Sequence, residues 1–573
     1  MSTALSGVPR QDRARDLSGW APPLGGAGRL ALILLVGAVA FLPFLLVGRF
    51  PSQDGPAHVQ TASSFALLQA GQAPVSALFM VVNDPGPTNN LAPWLLSRLL
   101  EWLPPARAEW ALALAEVALL LAAVLFGLRQ MRGRLADAAL GVLLCAPVLL
   151  YMGSHSLVLA MAFGFAALAF AARHLETGRA AEALGFLAAS VLACAGNIQA
   201  AIPILAAVLG GLGGSLAWRR LRGGRLRPAR TEISLALATL PLIGLVLVYK
   251  LVLGGAEFGV PLWWPQRAAS ALLLRGDVAW FWYSDWMLLG LLACTLWALA
   301  AWWLLRGAEA VTPASPAPWA LWGGFSIAVL SMLAPTETAL VPQIPMRLTP
   351  FAHYLVFLWF CGAPLPLPAR RAVIGLAAAA GIGLTVTRSL GHVELAGRLA
   401  ELDWAERQVP DGAVMEALRM TFLGGPFDQL PGQQIHGFRL RFGSLIHTGY
   451  GFVGRDVANL SDYQLMSDWH FFRLRPAPAV EALPGIGQAD EILRAGGIPG
   501  GFAGHRAELR AATGRDIDYV LFMTQGMDVP ERAKTWPPLA DVLRDLEAGY
   551  ERLARSAPTG LVEVWRRRDL PMR

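Results

Sequence analysis

Residues 30–58 read LALILLVGAVAFLPFLLVGRFPSQDGPAH. The run 30–48 holds no charged residue. At about 1.5 Å per helical residue, a run of this length crosses roughly 30 Å of hydrocarbon. Then the chain turns polar at Pro51-Ser52-Gln53-Asp54-Gly55-Pro56-Ala57-His58. A membrane helix that delivers an acidic residue to the bilayer edge sets the reading of everything downstream.

The same pattern repeats. Of 573 residues, 55% are hydrophobic and only 15% are charged, and the mean hydropathy is +0.48. A soluble chain carries about 25% charge, so the composition excludes one and predicts a polytopic helical membrane protein. Further apolar runs lie at 108–129, 134–152, 155–173, 181–196, 199–218, 232–254, 285–305, 318–334, 347–363 and 371–388. With the first they make about eleven spans, each helical because lipid satisfies no backbone group. Cys145, Cys194, Cys294 and Cys361 all fall in these runs and form no CxxC pair. They read as small packing residues, neither disulfides nor metal ligands.

Arginine sets the orientation. Arg10, Arg13, Arg15 and Arg29 precede the first run. Arg129, Arg132 and Arg134, then Arg173 and Arg179, then Arg219, Arg220 and Arg222, then Arg306, and finally Arg370 and Arg371 fall in every second loop. The positive-inside rule makes these loops cytoplasmic. The formal charge of +7 comes mostly from these loops, so it is no nucleic-acid signature. Residues 1–29 then form a cytoplasmic tail, 30–388 the transmembrane module and 389–573 a soluble extracytoplasmic domain of mixed α/β type. A long first external loop spans 49–107, with helical stretches at Val59–Leu68 and Leu91–Leu103. In the tail, Glu394–Arg407 and Ala540–Ala554 are predicted amphipathic helices, and Tyr519–Met523 and Leu561–Trp565 short strands.

In this orientation the costly polar residues share the outer side. Asp54, His58 and Asp84 lie in the first loop, His155 opens a span, and Asn197 with Gln199 marks a hairpin. Lys250 stands near the outer end of its span, Arg347 opens another, and His353 lies about two turns deeper. Glu116 lies within the second span, about two turns from its outer end. Polar groups at membrane depth are functional hypotheses by default. Each also has a plain structural use. Asp54 before Gly-Pro is a helix cap, and Asp84 in Asn-Asp-Pro-Gly is a turn residue. Arg347 and Lys250 are snorkelling anchors, and His155, Asn197 and His353 are interhelical hydrogen-bond partners. Asp54 and His58, one helical turn apart, could also hold a divalent cation together with Asp84. The loop containing Trp263, Trp264, Trp280 and Trp282, with Trp286 beyond it, reads as an aromatic belt or a sugar-stacking wall. His436, His447 and His470 in the tail read as surface or core histidines.

The segment Pro51–His58 resembles the first-loop motif of the GT-C glycosyltransferase superfamily, whose plan is that of the aminoarabinose and protein-mannosyl transferases. The closer likeness is to a branch carrying Gln-Asp-Gly-Pro-x-His. Asn89-Asn90 with Leu91–Leu103 resembles that branch's second juxtamembrane helix, Glu116 its second-span glutamate, and Arg347 with Pro350-Phe351 its late-span arginine motif. His447–Tyr450 resembles its external His-and-Tyr patch. Many members of the superfamily carry an adjacent acidic pair in this loop. Here Asp54 stands between Gln53 and Gly55, so Asp84 is the candidate second carboxylate.

The resemblance implies an enzyme of a bacterial inner membrane. It would move a sugar from a polyprenyl-phosphate donor to a cell-envelope acceptor at the outer leaflet. Asp54 would be the base, with His58 and Asp84 supporting it, while Arg347 and Lys250 would hold the donor phosphate. Glu116, His155, Asn197 and His353 would be supporting polar groups. Two other readings remain open. A lipid or solute transporter would favour midplane charges and internal repeats. A non-catalytic scaffold would leave the outer polar residues dispersed.

Overall fold

A computed structural model describes residues 26–82, 89–222, 227–253, 272–274, 283–306, 316–334, 344–419, 448–462, 474–483, 500–524 and 529–571. The longer helices are α1 (Gly26–Leu45), α2 (Gly55–Gln69), α3 (Leu91–Leu99), α4 (Pro105–Gln130), α5 (His155–Thr177), α6 (Ala180–Gly196) and α7 (Ala201–Leu221). They continue as α8 (Arg230–Ala238), α9 (Leu240–Leu253), α10 (Tyr283–Arg306), α11 (Pro316–Leu333), α12 (Ile344–Gly362) and α13 (Leu367–Glu406). The last two are α14 (Gly501–Thr513) and α15 (Pro537–Gly549).

The protein is a multi-pass helical membrane bundle. Among the described residues, eight helices are long and apolar enough to cross a bilayer. The three remaining predicted spans are shorter or mixed. Ala180–Gly196 has 17 residues, and Ile344–Gly362 carries Arg347 and Pro350 within 19. The predicted span 134–152 is not one helix. Leu135–Cys145 is one short helix of mixed 3-10 and α character, followed by the turn Val148–Tyr151 after a break at Ala146 and Pro147. Proline has no N–H to continue the ladder. The break is tolerated because residues 138–152 are buried among protein neighbours, which is where a bilayer permits irregular backbone.

The arginine-rich loops gather at one end of the bundle. Arg132 pairs with Glu176 at 2.9 Å. Arg222 reaches the carbonyls of Leu304 and Leu305 at 2.8 and 3.0 Å, and the Arg370 guanidinium clasps buried Asp137. The opposite end carries α2, α3 and the C-terminal module.

That module holds a five-stranded sheet of order β3-β2-β5-β7-β6, with strands β2 (Val414–Arg419), β3 (Ala458–Asn459), β5 (Tyr519–Met523), β6 (Tyr550–Arg555) and β7 (Val562–Arg567). Strand β2 runs parallel to β3 and β5, and β7 is antiparallel to β5 and β6. The predicted helix Ala540–Ala554 therefore ends early, at Gly549, and its last residues are β6. The alternation of strand side chains gives the sheet two apolar faces. Val414, Leu418, Val520 and Phe522 pack on Phe502, Leu509 and Leu539 of α14 and α15. Met415, Ala417, Leu521 and Met523 pack on Val59 of α2, Ala92 of α3, and Leu399 and Leu402 of α13.

Two features join the module to the bundle. The predicted span 371–388 and the predicted helix Glu394–Arg407 are one 40-residue helix, α13. At about 60 Å it is longer than the hydrocarbon is thick, so its C-terminal end, which packs on the sheet through Leu399 and Leu402, extends past the hydrocarbon. In addition, β1 (Met80–Val82) of the first loop pairs antiparallel with β4 (Leu474–Pro476) of the tail.

Candidate functional site

The stretch after α1 is held as a shaped loop. Gln53 N–H donates to the Tyr151 carbonyl at 2.8 Å and Asp54 N–H to Met152 at 3.2 Å. The broken segment 134–152 thus presents its last carbonyls to the Asp54 loop. Ser52 Oγ donates to Glu109 Oε1 and accepts Gly55 N–H at 2.9 Å. Glycine is needed at 55, because a Cβ there would overlap Glu109 Oε1 and Ser52 Oγ. Asp54 sits at the N-cap position of α2, yet its side chain makes no capping hydrogen bond. The cap reading thus holds for position and not for the carboxylate. One turn on, His58 N–H donates to the Asp54 carbonyl at 3.0 Å, and its ring lies 6.1 Å from that of His155.

Behind the loop is a buried acidic pair bridged by a histidine. Glu109 and Glu116, seven residues apart, fall on one face of α4. His155 stands between them, with Nδ1 3.0 Å from Glu116 Oε2 and Nε2 3.3 Å from Glu109 Oε1. All three are buried. Two desolvated carboxylates are affordable only with such a partner. The Tyr450 hydroxyl donates to Glu109 Oε2 from the C-terminal module. Tyr450 is fixed in turn by Glu406, whose carboxylate accepts Gly449 N–H at 2.8 Å and Gly451 N–H at 2.5 Å.

A polar chain leads from there to Arg347. Ser156, beside His155, donates to the Asn89 carbonyl at 3.2 Å. Asn197 Nδ2 donates to Asn89 Oδ1 at 3.3 Å, and Gln199 N–H donates to Asn197 Oδ1 at 3.0 Å. The Arg347 guanidinium donates to Gln199 Oε1 at 2.8 Å. Glu116, His155, Asn197 and Arg347 thus lie along one belt at the end of the bundle that carries the module, with the Asp54 loop resting on it through Ser52 and His58 beside His155. His353 Nδ1 meets the Thr349 carbonyl of its own helix at 3.1 Å.

Asp84 and His447 lie outside the described residues, as do Trp263, Trp264, Trp280, Trp282, His436 and His470. Lys250 is on α9, with its side chain outside them too. Among the described residues no group of three or more His, Cys, Asp or Glu side chains is placed to hold a metal ion. Both ring nitrogens of His155 already face carboxylates.

Sequence reasoning missed Glu109, the hub of this belt. Its signal was an i, i+7 glutamate pair in an apolar helix, of which only Glu116 was read. Also missed was a cavity of about 490 Å³ lined by Arg49, Arg107, Asp403, Arg407 and Tyr450. Its residues come from four separate parts of the chain, with no motif to join them.

No family model matches this chain, and no curated protein matches it. Among solved structures, one of ArnT from Cupriavidus metallidurans bound to undecaprenyl phosphate is similar over 94% of this chain and 97% of that chain, at 14% identity and a TM-score of 0.43. The same protein in its apo state is similar over the same shares, at 14% identity and a TM-score of 0.42.

Proposed function

We propose that this protein is a membrane glycosyltransferase. It takes a sugar from a polyprenyl-phosphate donor at the outer leaflet of a bacterial inner membrane and gives it to a cell-envelope acceptor. The C-terminal module is extracytoplasmic in this reading. The observation that supports it is a run of polar contacts at one end of the bundle, from the Asp54 loop through Ser52 to Glu109, and from Asn197 and Gln199 to Arg347. Asp54 stands at the mouth of a buried Glu-His-Glu group, and Arg347 is tied into the same belt through Gln199. A scaffold would have no need of such a run. The polar groups gather at one end of the bundle, where a carrier would place them at its midplane.

The chemistry is a single displacement. An acceptor hydroxyl attacks the anomeric carbon as the bond from that carbon to the phosphate oxygen breaks. The hydroxyl proton passes to the Asp54 carboxylate, and the lipid phosphate leaves as an anion with Arg347 stabilising its charge. His58, one turn along α2, orients the acceptor or Asp54. His155, Glu109 and Glu116 hold the floor on which the loop rests, and Asn197 positions Gln199 beneath Arg347. His353 and Lys250 are further candidates on this side, and Asp84 is the candidate second carboxylate, with or without a divalent cation.

The test is transfer by purified protein in vesicles carrying a polyprenyl-phosphate sugar. Asp54→Asn should abolish product formation while insertion and thermal unfolding stay as in the parent. Full transfer by this variant would reject the base role, and solute uptake without transfer would favour a carrier.

A further inference from the structure

The cavity between the end of α1, the start of α4 and the upper part of α13 has no part in the chemistry above. Three guanidinium groups line it, from Arg49, Arg107 and Arg407, against the single carboxylate of Asp403. Asp403 Oδ2 takes Arg49 Nη2 at 3.2 Å, and the same carboxylate takes Arg407 Nε and Nη2 at 3.2 Å each. Two consequences follow for charge. Among the described residues Arg49 Nη1 is buried and donates no hydrogen bond, which is costly unless an acceptor arrives. Arg107 has no carboxylate partner among the described residues; its guanidinium lies against the Gly48 backbone and 5.4 Å from the centre of the Trp110 ring. The cavity also opens at Pro104 and Pro105, where α4 begins, so the helix dipole adds to the positive field.

Its surroundings are apolar and face outward. Leu45 and Leu46, beside the lining residue Val47, are exposed, as is Val393, one turn from the lining residue Ala396. Trp102 is 84% exposed two residues before Pro104, and Trp404 is exposed beside Asp403. Apolar surface below and tryptophans at the rim are the marks of the headgroup level of a bilayer. A cationic slot at that depth fits an anionic head whose tail lies along the exposed leucines.

The geometry points to this cavity as a binding site for the phosphate group of a membrane lipid, held by Arg49, Arg107 and Arg407. Planar guanidinium forks match phosphate oxygens, and the excess of two positive charges over Asp403 suits a phosphate monoester or diester. Tyr450 is the wall shared with the belt, since it lines the cavity and its hydroxyl meets Glu109. The site does not rest on the transferase reading, and its test reads binding alone.

The intact chain in detergent micelles is incubated separately with a short polyprenyl monophosphate and with phosphatidylglycerol. Bound lipid is counted by native mass spectrometry, with sodium phosphate as competitor at constant ionic strength. Arg107→Gln and Arg49→Gln should each lower lipid retention roughly tenfold, the scale of one lost charge-assisted contact. Arg107→Gln leaves no orphaned carboxylate, so its fold is safe. Preference for the polyprenyl phosphate marks a monoester site, and equal retention of both lipids marks a general headgroup site. Displacement of both by phosphate shows that the phosphate group, not the tail, carries the binding. Each of these supports the proposal when the variants lose it. Retention by both variants equal to that of the parent, or no retention of any probe by the parent, overturns it. A failure here leaves transfer by the Asp54 site untouched, and loss of transfer in Asp54→Asn leaves lipid retention untouched.

Discussion

Gly153 and Asp54 meet across the loop. A Cβ built on Gly153 would lie 3.0 Å from the Asp54 Cβ and 2.9 Å from the Gly55 amide. Gly153 also holds a left-handed backbone, φ +80°, which costs a residue with a Cβ about 1–2 kcal/mol. Both constraints act on the one turn that joins the broken segment to α5. The position of the candidate base is therefore set by a hairpin nearly 100 residues away in sequence.

Gly153→Ala should shift Asp54 and lower transfer far more than it lowers stability. Thermal unfolding should record about 1–2 kcal/mol from the backbone, while turnover should fall at least tenfold because a displaced reacting group loses its alignment. Equal fractional losses in both would make the glycine a folding residue only.

The His155 bridge predicts strong non-additivity. His155→Ala leaves two buried carboxylates without their partner, which costs about 3–5 kcal/mol when a buried ion pair is broken. Glu109→Gln and Glu116→Gln in that background should recover part of the loss. A double-mutant cycle followed by thermal unfolding measures this. Strictly additive losses would mean that the three side chains do not act as a unit.

Much of this was legible in the sequence, and the reason is periodicity. The apolar runs predict the helices, and the arginine loops predict which ends cluster. Arg132 and Glu176, or Arg222 and Leu304, do meet at the basic end. The strand Tyr519–Met523 is found with the bounds expected of it. What failed is what periodicity does not encode. Pro147 sits in an apolar run, so the run reads as a span although the helix breaks there. The polar gap between residues 388 and 394 reads as an end, although α13 continues because the sheet packs on Leu399 and Leu402. Asp54 is marked by its neighbours, whereas Glu109 and Tyr450 become related only when the module folds back across the bundle.

That folding back makes a third prediction. Glu406 holds the turn that presents Tyr450, through the amides of Gly449 and Gly451. Glu406→Ala should loosen that turn and remove the Tyr450 hydroxyl from Glu109. Hydrogen exchange at residues 449–451 should rise, with a stability loss of about 1–3 kcal/mol for buried amides left without their acceptor. Tyr450→Phe should remove the hydroxyl contact with Glu109 without the change in exchange. Unaltered exchange in Glu406→Ala would remove Glu406 as the anchor.

Asp516 contributes acid sensitivity to the module. Burial pushes the Asp516 pKa up, but hydrogen bonds from Arg506 and Arg510 and the Arg506 charge outweigh it, and the net shift is downward. A carboxyl whose folded pKa is depressed stabilises the fold above its unfolded value, about 3.9. That contribution is lost as pH falls through the folded value. Asp516 also accepts the Ile517 amide at 2.8 Å, directly ahead of β5, so its protonation loosens the centre of the sheet. Thermal unfolding of the parent should therefore hold level down to about pH 4 and drop steeply below it. Asp516→Asn should start lower at pH 7, because two guanidinium groups lose their carboxylate, and should then show a flatter acid limb. An acid limb as steep in the variant as in the parent would place the sensitivity on another carboxyl.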